Sequence, residues 1–200
     1  TKIILKLVPA PESKKALLGL YDEMIAAAAT VSAIIENKII PCTLEFLDRT
    51  TIECVESYAK IGLPTDCAAV LLIEVDGHPE QVDEQAEQIE IIARAGGARE
   101  VRLAASEEEA LQLASARRTA FSALARLAPT VVLEDVTVPR SELAKMVARV
   151  QEVGNRHAVK VGTFGHMGDG NLHPTFLCDE RDKAEMARVE KAMEEVFSFA

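Results

Sequence analysis

The chain has 200 residues, of which 48% are hydrophobic, and a net charge of −10. That length and apolar content support one large domain or two small ones, with an ample core and no need of disulfide staples. The negative charge, with no basic runs or aromatic platforms beside it, argues against a nucleic-acid partner.

In chain order, an apolar run at 3–8 reads as a first strand and 17–21 as a second, followed by a helix over 23–36. A strand at 44–47 leads to a helix over 50–60, and a strand at 68–75 to a helix over 80–95. In the last of these Val82, Ala86, Ile89 and Ala93 share one face, and Gly96-Gly97 ends it. After a strand at 101–103, Ser106 and Glu109 form a capping box for a helix over 107–127. Glu107 and Glu108 add negative charge where the helix dipole favours it. A strand at 131–138 closes at Pro139, and Ser141 is placed to cap a helix over 141–154. Strands at 159–164 and 172–177 flank a glycine-rich turn, and a helix over 182–198 completes the outline.

A strand–helix–strand unit thus recurs at roughly 55- to 60-residue intervals, with no residue pattern repeating alongside it. The expected fold is α+β: a mostly antiparallel sheet built from ferredoxin-like βαβ units, with helices on one face and the other face free. Neither Gly-x-Gly-x-x-Gly after a strand nor a Walker-type loop is present, so a self-contained nucleotide site is not expected. Cys42, Cys54, Cys67 and Cys178 are scattered without a close pair, which fits a reduced, cytoplasmic setting. No run of about 18 apolar residues suggests a transmembrane segment, and the start has no signal-peptide pattern. Thr1 precedes a strand-like run at once, and Phe197-Ser198-Phe199-Ala200 lies in a helical run without a capping glycine. Both features lead us to expect a piece of a longer polypeptide.

Two features carry chemistry. In Gly165-His166-Met167-Gly168-Asp169-Gly170-Asn171-Leu172-His173-Pro174, two of the chain's four histidines stand seven apart around glycines. A glycine-permitted turn can aim both imidazoles at one ion, and the same residues also suit a plain hairpin turn with histidines at its edges. The second feature is Arg117, expected within an apolar stripe centred on Leu113, Phe121 and Leu124 of the long helix. A guanidinium there requires an anion. Asp135, Asp169 and Glu134 are internal candidates, and a ligand carboxylate gripped by the planar fork is the alternative.

The same stretch resembles the signature of the C-terminal cap domain of FAD-linked oxidases, the family of the glycolate oxidase flavin subunit, D-lactate dehydrogenases and D-2-hydroxyglutarate dehydrogenase. The resemblance covers nearly the whole chain. Supporting stretches are Lys6-Leu7 with Pro9, Ile39-Ile40-Pro41 before Leu44-Glu45-Phe46-Leu47-Asp48, Ala116-Arg117-Arg118-Thr119-Ala120-Phe121 and Asp135-Val136-Thr137-Val138-Pro139-Arg140. Their order and spacing resemble the glycolate oxidase branch.

The resemblance implies that residues 1–200 form a cap and substrate domain, with most of the FAD held by a separate N-terminal domain. It implies that the cap sheet lies over the flavin ring, that Arg117 holds a substrate carboxylate, and that His166 and His173 bind a divalent metal such as zinc or manganese. The metal's carboxylate ligand, in a Gly-Glu-His-Gly motif, would lie beyond Ala200. Asp169 and Asn171 match family positions, with Asn171 on the cofactor side, whereas Ala114 stands where many relatives have tryptophan. The implied reaction oxidises a small 2-hydroxy acid, glycolate or D-lactate, to the 2-oxo acid, with hydride passing to the flavin. Implied partners are other subunits of an oxidase complex, through which the protein could sit at the inner membrane. From the residues alone, a regulatory carboxylate-binding module without catalysis and a subunit-docking domain remain open alternatives.

Overall fold

The structure, a computed structural model, describes residues 2–7 and 9–200. In chain order its regular elements are β1 (Ser13–Tyr21), α1 (Met24–Glu36), β2 (Thr43–Asp48), α2 (Arg49–Ala59), β3 (Ala69–Gly77), α3 (Pro79–Ala95) and β4 (Ala98–Leu103). There follow α4 (Glu107–Leu124), β5 (Thr130–Leu133), β6 (Val136–Thr137), α5 (Leu143–His157), β7 (Lys160–His166), β8 (Asn171–Cys178) and α6 (Lys183–Phe197).

The strands form one eight-stranded sheet in the order β4-β1-β3-β2-β7-β8-β5, with β6 also on β8, and the pairings are antiparallel. β1 and β2 run parallel with β3 between them, which is the split βαβ arrangement expected from the sequence. The two halves of the chain meet where β2 pairs with β7, setting Glu45 opposite His166 and Leu47 opposite Phe164.

Strand alternation divides the core in two. Leu17, Tyr21, Phe46, Leu71 and Ile73 face α1, α3, α5 and α6, while Leu18, Leu20, Leu47, Val70 and Leu72 face α2 and α4. Helices therefore cover both faces, which corrects the one-sided packing expected. The reason lies in β1 and β3: runs such as Val70-Leu71-Leu72-Ile73 are apolar on both sides of the pleat, and each side needs a cover.

Three further expectations are corrected. Residues 2–7 carry no regular structure and expose Ile3, Ile4, Leu5 and Leu7, because no strand of the sheet pairs with them; Val8 lies outside the described residues. The strand expected at 131–138 is two strands, since Pro174 on the facing strand has no N–H to offer the ladder. Ser141 falls inside a 3-10 turn, Arg140–Glu142, and α5 starts at Leu143 without a side-chain cap.

The capping box at Ser106 is present in a shifted form. Ser106 Oγ accepts from the Glu109 amide at 3.2 Å, and Glu109 reaches back to the Ala105 amide at 2.7 Å. Val82, Ala86, Ile89 and Ala93 are all buried, as their spacing predicts.

Candidate functional site

The glycine-rich segment is a hairpin whose histidines share one face. β7 ends at His166, a 3-10 turn spans Met167–Asp169 with Met167 buried beneath it, and Gly170 passes through φ +78° into β8. Gly165 is required by the close crossing of the two strands, because a Cβ there would stand 2.8 Å from Leu172 Cα. His173 pairs across the ladder with Phe164, and the His166 and His173 rings meet edge to face with centroids 5.2 Å apart. The segment is thus a hairpin, and it brings the two imidazoles together edge to face.

β7 is locked in place from below by Asp48, the N-cap of α2. Its Oδ1 accepts from the amide and hydroxyl of Thr51 at 2.8 and 2.7 Å, and its Oδ2 accepts from the Thr163 amide at 2.7 Å. Complete burial pushes this carboxyl up to about 6 even though those donors favour its ionised form.

Arg117 does not sit at the centre of the α4 stripe. The buried line of α4 is Ala116, Ala120, Ala123 and Leu124, small residues that let the helix press against α2, while Phe121 is exposed. Arg117 lies beside that line with 43% of its side chain exposed, and its partner is none of Asp135, Asp169 or Glu134. Its Nε stands 3.0 Å from Oε1 of Glu45, a β2 side chain only 7% exposed. The other Glu45 oxygen lies 2.8 Å from His166 Nδ1. A carboxylate accepts only, so the His166 hydrogen belongs on Nδ1 and the ring's acceptor is Nε2. Arg117 Nη2 lies 3.0 Å from His166 Nδ1 and 3.3 Å from Nε2, so it packs against the ring rather than along either nitrogen's lone pair.

Glu45 is the residue that sequence reasoning missed. The signal was present: an acid between Leu44 and Phe46 on a strand whose neighbours in the sheet are apolar needs a buried cation, just as Arg117 needed an anion.

Burial holds His173 below the usual histidine range, with nearby His166 adding to the effect and the Asp135 carboxylate opposing it. Its Nδ1 is buried without a partner. The side-chain amide of Asn171 donates to Asp135 Oδ1 at 2.6 Å and Thr137 Oγ1 at 3.2 Å, stapling β6 to β8, and leaves its own Oδ1 buried and unpaired. A cavity of about 590 Å³ opens beside these groups, lined by Glu45, Arg117, Arg140, His166 and Asp169 among others. A smaller one of about 220 Å³ lies on the α4 side of the same Glu45–Arg117 pair and includes Ala114.

The residues present do not by themselves fit a divalent ion. Among the described residues no group of three or more His, Cys, Asp or Glu side chains is arranged to hold one, and the Arg117 guanidinium packs a positive charge against the His166 ring. Nor is there a glycine-rich phosphate cradle. The unpaired Asn171 Oδ1 and His173 Nδ1 are buried in the same hairpin as His166, which does line the cavity, and are polar atoms that a bound group could satisfy.

A wide antiparallel sheet covered by helices on both faces, with Arg117 of α4, the buried Glu45 and His166 beside an open cavity, defines an α+β domain. The family model for FAD linked oxidases, C-terminal domain, matches residues 10–200, and the chain belongs to that family. It is 56% identical over 200 residues to the glycolate oxidase subunit GlcD of Bacillus subtilis, spanning all of this chain and 43% of that protein. It is 35% identical over 191 residues to the glycolate oxidase subunit GlcD of Escherichia coli K12, covering 96% of this chain and 38% of that protein. The chain thus spans about two-fifths of the length of these relatives. Among solved structures, p-cresol methylhydroxylase with substrate bound superposes with a TM-score of 0.66 at 13% identity, over 94% of this chain and 43% of that one. At that identity the likeness concerns the fold alone. Among the described residues no helix is long and apolar enough to cross a membrane.

Proposed function

We propose that this chain is the substrate-facing cap of an FAD-dependent oxidoreductase that converts a small 2-hydroxy acid, glycolate or D-lactate, to the 2-oxo acid. The observation that carries the reading is the split environment of Arg117. Its Nε edge is held by the buried Glu45, while 43% of the side chain stays exposed beside a cavity large enough for a small acid. Among the described residues Nη1 has no protein partner, so the outer end of the fork is free to receive a carboxylate through parallel hydrogen bonds.

The flavin, when bound, accepts hydride from the substrate's C2. This chain's part is to hold the acid by its carboxylate, so that C2 and its hydroxyl are directed inward from the His166–His173 wall. His166 lines the cavity beside Arg117 and Glu45, His173 packs edge to face against it, and the sheet behind them keeps bulk water from one side. His166 and His173 were candidate ligands for a divalent metal; as the pair stands it lacks a third ligand, and no step here runs through a metal. Similarity to a protein described as a glycolate oxidase subunit supports assembly with further subunits.

The test is spectroscopic. The complete protein containing this chain should purify with an oxidised-flavin absorbance band that bleaches when glycolate or D-lactate is added without oxygen. A complete protein that carries no flavin, or whose flavin ignores every 2-hydroxy acid offered, would contradict the proposal.

A further inference from the structure

We infer that Glu45 is a positioning residue that sets which end of Arg117 the substrate meets, an inference that rests on the reading of Arg117 given above. Three observations meet here. Glu45 is 7% exposed in the middle of β2, directly opposite His166 on β7. Its Oε1 takes the Arg117 Nε edge at 3.0 Å, and both of its oxygens face His166 Nδ1, at 2.9 and 2.8 Å. Arg117 itself comes from α4, which packs over the sheet, so Glu45 joins three separate elements at the cavity wall.

A half-exposed arginine without such a clamp samples many rotamers and can present its Nε–Nη2 edge, its end, or nothing at all to a ligand. Occupying Nε from beneath removes the side-on mode and leaves the outer end. The clamp has an electrostatic cost, because a carboxylate behind the guanidinium weakens its pull on the substrate's own carboxylate. Glu45 should therefore contribute little to ground-state affinity and much to orientation. That separates it from Arg117, whose loss removes the binding contact. By accepting the Nδ1 hydrogen of His166, the same carboxylate leaves Nε2 as that ring's acceptor.

The experiment uses the complete flavoenzyme, with rates expressed per bound flavin so that loss of fold or cofactor does not register as loss of turnover. Glu45→Gln removes the charge and keeps the size. We expect kcat for the 2-hydroxy acid to fall about tenfold to a hundredfold, with KM changed by no more than about threefold. Arg117→Lys should instead raise KM, and adding Glu45→Gln to it should lower kcat by less than about threefold, because the residue acts through the guanidinium. Glu45→Asp, should the amide variant fail to retain flavin, keeps the charge but falls a methylene short, and an intermediate loss of kcat is expected. An unchanged kcat per flavin in Glu45→Gln or Glu45→Asp, or effects that simply multiply in the double variant, would overturn the inference. A wild-type enzyme that turns over no 2-hydroxy acid would instead remove the functional reading itself and the inference with it.

Discussion

Arg117 on α4 and Glu45 on β2, 72 positions apart in the chain, meet with Nε and Oε1 3.0 Å apart, the acid buried and the base half-exposed. This asymmetry links fold to function. β2 lies at the seam between the halves of the sheet, so the acid is fixed by strands from both. α4 crosses above it and lowers a guanidinium onto it, leaving the outer end of the fork at the cavity.

Asp48 should make stability depend on pH in an unusual direction. Its folded value of about 6 lies above the unfolded carboxylate value of about 3.9, so the folded chain binds the proton more tightly. Its stabilising contribution is complete below about pH 3.9 and is lost as pH rises through about 6, by on the order of 2–3 kcal/mol. Asp48→Asn cannot ionise and lacks this slope. Melting curves of both proteins from pH 4 to 7 should show the wild type's advantage narrowing as pH rises; a gap that stays constant or widens would count against it.

Gly165→Ala should be among the more damaging small substitutions in the chain. The added methyl would stand 2.8 Å from Leu172 Cα in the adjoining strand, and backbone cannot yield there without separating β7 from β8. A loss of about 1–3 kcal/mol is expected from overpacking, read by urea unfolding. A midpoint shift under a few tenths of a molar with an unchanged slope would mean that the strands tolerate the spread.

Asn171→Ala tests whether that amide is a staple. It removes donors to Asp135 and Thr137, so β6 should fray from β8. We expect faster hydrogen exchange at the Val138 amide, which donates to the Gly170 carbonyl, and a stability loss of about 1 kcal/mol. Unchanged exchange there would assign Asn171 another task.

Much of the fold was legible in the sequence, because periodicity and boundary residues coincide: Val82 to Ala93 with Gly96 mark α3, and Ser106 with Glu109 opens α4. What escaped depended on partners distant in sequence. The apolar run at 3–8 looks like a strand until the sheet is seen to pair none of residues 2–7. The break between β5 and β6 is dictated by Pro174, some forty positions later. In the site, the histidine pair and Arg117 were identifiable from residue type and spacing, but their convergence was not. Glu45 went unseen as Arg117's partner for the same reason: it lies on another strand, and alternation alone does not reveal that α4 passes above it.

The central claim, that Arg117 holds the carboxylate of a 2-hydroxy acid against the flavin, is tested most directly by comparing anaerobic flavin reduction by D-lactate and by its carboxamide, D-lactamide. The amide keeps the C2 hydroxyl and hydrogen but offers only one acceptor and no charge. In the wild-type complete enzyme the apparent second-order rate should fall about 10- to 100-fold on going from acid to amide, and Arg117→Lys should shrink that ratio by weakening the acid alone. Equal rates for the two compounds, or a ratio untouched by Arg117→Lys, would contradict the account.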